Sequence, residues 1–109
     1  MQSEIDQVEA TLEHAEAALA LGEKMQKLAA NKDFQDIIIN GYFKDEAARL
    51  TGLLGDPQFK DSQDEIMKDL HAISSFQRYC RQAIRNGEMA QKSIIDCKAA
   101  LDELRIEGE

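Results

Sequence analysis

Tryptophan is absent from this chain, proline occurs once, and the aromatic residues are four Phe and two Tyr. A fold of short strands joined by tight turns draws on more β-favouring and turn-forming residues than that. Two Cys are too few for a disulfide framework, and together they suit a reducing, cytosolic setting. Basic residues are in deficit: 13 Lys and Arg stand against 21 Asp and Glu, a formal charge of -8. That balance argues against a general nucleic-acid binder, which needs cations to displace counterions from phosphates, and against adhesion to an anionic membrane. No apolar run approaches the roughly 20 residues of a membrane-spanning helix. The opening Met1-Gln2-Ser3-Glu4 has no basic region followed by an apolar one, so no secretory signal peptide is expected.

Catalytic signatures are equally scarce. The sequence has no glycine-rich phosphate loop, no nucleophile elbow and no Cys-x-x-Cys. It also lacks the Glu-x-x-His pair of di-metal carboxylate bundles. His14 and His71 stand far apart on separate predicted helices, with no converging ligands. The expectation is a chain that is not an enzyme, with no catalytic residues, no metal and no cofactor.

What remains is a helix-forming composition over 109 residues, enough for a single helical domain spanning 1–109. The predicted architecture is all-α: an antiparallel helical hairpin or bundle of three helices, four if the last one breaks, with a long C-terminal helix. Helices are expected at about 3–30, 34–54 and 62–106.

In the first, Ser3 is the candidate N-cap. Ile5, Val8, Leu12, Ala15 and Leu19 follow the three-four spacing of a coiled-coil seam, which then shifts to Ala18, Leu21, Met25 and Leu28 near Gly22. Ile5, Val8, Leu12 and Leu19 are the candidate oligomer seam. The opposite face is acidic, with Glu4, Asp6, Glu9, Glu13 and Glu16.

Asp33 is the candidate N-cap of the second helix, whose apolar positions are Phe34, Ile37, Ile38, Tyr42, Leu50, Leu53 and Leu54. The run Ile37-Ile38-Ile39 has strand propensity, but Lys44 to Leu50 continues in helical register. Three consecutive Ile face more than one direction, so the helix is either central or in contact with another chain. Tyr42 and Phe43 are adjacent aromatics, and on an α-helix they cannot both face one core. One of them is a candidate interface anchor, the alternative being peripheral packing on the third helix.

Gly55-Asp56-Pro57 is a stop signal, and Ser62-Gln63-Asp64-Glu65 matches a capping box. From there an apolar stripe reads Ile66, Leu70, Ile73, Phe76, Cys80, Ala83/Ile84, Gly87, Ala90, Ile94, Cys97, Leu101 and Leu104. Asn86-Gly87 is its one interruption. The pair could cap one helix, or lie within a continuous one of roughly 66 Å, and the unbroken phase of the stripe favours continuity. Cys80 and Cys97 both fall on the stripe, about 25 Å apart along such a helix, and read as two buried reduced thiols. Arg78, Arg81 and Arg85 share a face, and Lys92 continues it. These cations either pair with the acidic first helix, in this chain or a neighbour, or form a docking surface for an acidic partner or nucleic acid.

The words Asn31-Lys32-Asp33-Phe34 and Gly41-Tyr42-Phe43-Lys44-Asp45-Glu46-Ala47-Ala48-Arg49-Leu50 resemble small helical accessory proteins of tailed bacteriophages. Gln63-Asp64-Glu65-Ile66 with Asp69 and Ala72-Ile73 extends the likeness, which covers about residues 28–90. The resemblance brings no functional residues with it. It implies a component of a phage particle or of its assembly, or a phage-encoded regulator that binds a host protein. The implied location is the cytoplasm of the infected bacterium or the virion. A homo-oligomer is expected, because apolar faces outnumber the partners one chain offers.

Overall fold

A computed structural model describes residues 2–108, which are helical almost throughout with no strand among them. In order they form α1 (Gln2–Ala29), a single turn α2 (Lys32–Phe34), a π-helical segment (Gln35–Glu46), α3 (Ala47–Leu54), a 3₁₀ segment (Pro57–Ser62) and α4 (Gln63–Glu107). Met1 and Glu109 lie outside the described residues. The chain divides into two compact units: residues 1–26 with 82–109, and residues 27–81. α4 contributes to both, and its backbone stays helical through Asn86-Gly87.

In the first unit α1 lies antiparallel to the second half of α4. Arg105 reaches Glu9 at 3.5 Å, and Gly22 meets Gly87. A methyl group on Gly22 would stand 2.8 Å from the Gly87 Cα and 2.9 Å from the Ala83 carbonyl oxygen. The two backbones therefore touch, which only residues without a Cβ permit. Ala15, Gly22 and Met25 of α1 and Ala83, Gly87, Ala90, Cys97 and Leu101 of α4 are buried. Small side chains thus predominate around the Gly22–Gly87 contact, where close backbone approach adds dispersion contacts to the packing of Met25, Cys97 and Leu101. The seam departs from the expected shift: Leu21 and Leu28 are exposed, and Gly22 is buried instead. Bulky residues at the contact would hold the helices apart, so the smallest residue takes the inward position. α1 also begins at Gln2, so Ser3 is inside the helix and not its cap.

In the second unit the π segment and α3 run antiparallel to the first part of α4. Leu50, Ile66 and Ile73 are its buried centre, with Tyr42, Phe43, Ala47, Leu53, Leu54 and Leu70 packed around them. Asn31, not Asp33, starts the helix: its side chain accepts a 3.0 Å hydrogen bond from the Phe34 amide. Likewise the chain enters α4 through the 3₁₀ segment, whose N-cap is Asp56, accepting from the Gln58 amide at 3.0 Å. Pro57 fits the first position there because its missing N–H would have no helical partner. Ser62, expected as a cap, is already helical; Gln63 fastens the corner by donating to the carbonyls of Phe59 (2.8 Å) and Leu53 (3.3 Å).

The π segment was not expected. Its hydrogen-bonded loops close over five residues where an α-helix closes over four. Gly41 suits that spacing, since a methyl there would stand 3.0 Å from the carbonyl oxygen of Asp36, five residues earlier. A wider turn also leaves a smaller rotation between successive side chains. Ile38 and Ile39 are accordingly both half-buried while Ile37 is 67% exposed.

Candidate interaction site

The same small rotation corrects the expectation for Tyr42 and Phe43. Both pack against the Leu50–Ile66–Ile73 centre, and both reach Phe76 of α4, with ring centroids 6.4 Å and 5.4 Å away in edge-on arrangements. The two rings lie 6.1 Å apart from each other. Edge-to-face pairs at such distances are favourable by about 0.5–1.5 kcal/mol beyond burial. Phe76, expected in the apolar stripe, is 44% exposed, and Tyr79 one turn on is 60% exposed. An aromatic cluster of Tyr42, Phe43 and Phe76, with Tyr79 exposed one turn further along α4, therefore belongs to this unit. Tyr42 and Phe43 are the interface candidates the sequence offers, and it places Phe76 in the apolar stripe; Tyr79 is signalled by its i, i+3 spacing from Phe76.

Beside this surface is a notch of about 210 Å³ lined by Tyr42, Glu46, Leu50, Asp69, Ala72 and Ile73. Its lining joins three apolar residues, Leu50, Ala72 and Ile73, to two carboxylates and a phenol. Glu46 is tied to Arg49, whose Nε donates to Oε1 at 2.8 Å while Nη2 meets the same oxygen. That hydrogen bond and the Glu46 charge raise the guanidinium above its ordinary range, and the Asp69 charge adds to the effect. The single Arg49 charge thus faces two acidic groups. Among the described residues, Asp69 takes part in no ion pair.

The expected cationic face divides between the units, Arg78 and Arg81 in the second, Arg85 and Lys92 in the first. All four are exposed. The ion pairs among the described residues are Arg49–Glu46, Lys68–Glu65 and Arg105–Glu9, so none of the four holds an acidic partner of α1. Arg78 Nη2 donates a hydrogen bond to Ser75 Oγ at 3.4 Å.

In the first unit Ile5, Val8, Leu12 and Leu19, the candidate oligomer seam, are half-buried. Val8 lines an open groove of about 620 Å³ with Gln7, Thr11, Met89, Lys92 and Cys97 among others. Cys97 and Cys80 are free and buried. Burial pushes the Cys80 thiol up from its usual range, with a backbone hydrogen bond opposing it, so the thiolate needed for nucleophilic or metal chemistry is disfavoured there. Among the described residues no three His, Cys, Asp or Glu side chains come together as metal ligands, and no helix is long and apolar enough to cross a membrane.

Neither a known protein family, nor a curated protein, nor a solved structure matches this chain.

Proposed function

We propose that this chain is a non-enzymatic helical oligomerisation and interaction protein that works within a larger assembly. Its resemblance to small helical phage proteins points to a component of a tailed-phage particle or of its assembly. The observation that carries the reading is the exposure of large apolar side chains on both units, Phe76 and Tyr79 on one and Met89, Ile95 and Ile106 on the other. Exposed apolar residues scattered singly mean little, but an aromatic group of this size beside a notch is the composition of a protein interface. Light scattering over a rising concentration series tests it. Growth of mass beyond one chain is the expected result, and a strict monomer at high concentration removes the reading.

The cationic face favours a second reading, a phage-encoded regulator docking on an acidic host protein, because Arg78, Arg81, Arg85 and Lys92 are exposed and have no ion-pair partner among the described residues. A pull-down from host extract, repeated with the arginines reversed to Glu, separates the two. A specific host protein lost on reversal favours the regulator.

A further inference from the structure

We propose that a second copy of this chain fills the notch between Tyr42, Glu46, Asp69 and Ala72 with the arginines of its own Arg78–Arg81 face. The inference deepens the assembly reading and rests on it. Notch and arginines both belong to the unit of residues 27–81. The notch has the chemistry of a guanidinium site: apolar lining from Leu50, Ala72 and Ile73, the aromatic Tyr42, and one more carboxylate than Arg49 balances. Arginine matches such a place because its stem is apolar and its flat head both stacks on aromatic rings and forks onto carboxylates.

The chain cannot satisfy the notch with these residues itself. Asp69 and Arg78 are nine residues apart on α4, two and a half turns, so they point to opposite sides of the helix. The same geometry fixes the kind of contact: the acceptor on one copy meets the donor on the next, and the two patches differ. Such a heterologous contact repeats from copy to copy, into a ring or an open row, instead of closing a symmetric pair. It also explains how a chain of charge -8 could self-associate at all, since general repulsion is opposed by a local pairing of unlike charge.

The test uses the full chain and two variants, Asp69→Lys for the notch and Arg78→Glu with Arg81→Glu for the donor face, followed by sedimentation velocity. Wild type is expected to form species larger than two chains as concentration rises. Each variant alone should stay monomeric at concentrations about tenfold higher than those at which wild type associates. Mixed together, the variants bring one intact notch to one intact donor face, and their two reversed surfaces are again of unlike charge, so the mixture should regain complexes that neither variant forms alone. Circular dichroism checks that helicity is kept, and Asp69→Asn replaces Asp69→Lys if it is not. Wild-type association that both variants retain overturns the notch contact and leaves the assembly reading standing. A wild type that is monomeric throughout overturns both. Variants that are monomeric alone and still monomeric when mixed overturn the notch contact.

Discussion

The two units solve one packing problem in opposite ways. Residues 27–81 are held by large side chains, Leu50, Ile66 and Ile73 under a rim of aromatics. The unit of α1 and the second half of α4 is built around small ones at the Gly22–Gly87 contact, Ala15 and Gly22 with Ala83, Gly87 and Ala90, alongside the buried Met25, Cys97 and Leu101. Where side chains are large, stability depends on filling volume; where they are small, it depends on backbones being able to approach. The two should therefore fail under opposite substitutions.

The largest effect is expected at Ile73, the most buried of the apolar residues at 3% exposure. Ile73→Ala removes volume from the centre of the large-residue unit and should cost about 2–5 kcal/mol in urea unfolding. A cost under about 1 kcal/mol would mean the unit collapses around the gap and is not held by volume. Next comes Gly22→Ala. In an open helix this change stabilises by about 1 kcal/mol. Here the added methyl meets the Gly87 Cα and the Ala83 carbonyl, so the sign should reverse to a loss of about 1–3 kcal/mol as the helices separate. Thermal unfolding of the two forms reads this directly, and a stabilised Gly22→Ala would show that backbone approach is not what holds the seam. The smallest effect is the control, Gly52→Ala in α3, where a methyl meets nothing within 4 Å. It should raise stability by about 0.5–1 kcal/mol through helix propensity alone. If both glycine substitutions moved the melting temperature the same way, the contrast between the units would lose its basis.

The large-residue rule is the one a sequence displays most openly. The all-α class, the α4 stripe and its phase across Gly87 follow from apolar periodicity, and Ile66, Ile73, Cys80, Ala90, Cys97 and Leu101 are buried where that stripe puts them. The small-residue seam is harder to read. Leu21 looks a better core residue than Gly22 on any hydrophobicity scale, yet the glycine faces inward because the partner backbone occupies the space a leucine would need. The π segment is harder still. Its register rests on one extra residue in each hydrogen-bonded loop, for which no residue type is a marker, and Gly41 reads as a bend or a close approach until the Asp36 carbonyl is seen beside it. That register decides whether Tyr42 and Phe43 share a direction, so their common contact with Phe76 was out of reach. The notch was hidden for another reason: Glu46 and Asp69 come from different helices, and pairing them requires the hairpin to be known first.

The division of α4 between two units has a consequence for the order in which the chain can form. Residues 27–81 pair neighbours, Tyr42 with Phe76 and Leu53 with Gln63, so that hairpin can close as soon as it has been synthesised. α1 is made before it, yet its partner, from Ala83 to Arg105, is made only after it. Contacts that close so long a loop form late. During that interval α1 carries its seam of Ile5, Val8, Leu12 and Leu19 uncovered, and the second half of α4 from a neighbouring nascent chain is as good a match as its own. An exchange of α1 between chains made side by side on one message is the hazard, or the opportunity, that this connectivity creates.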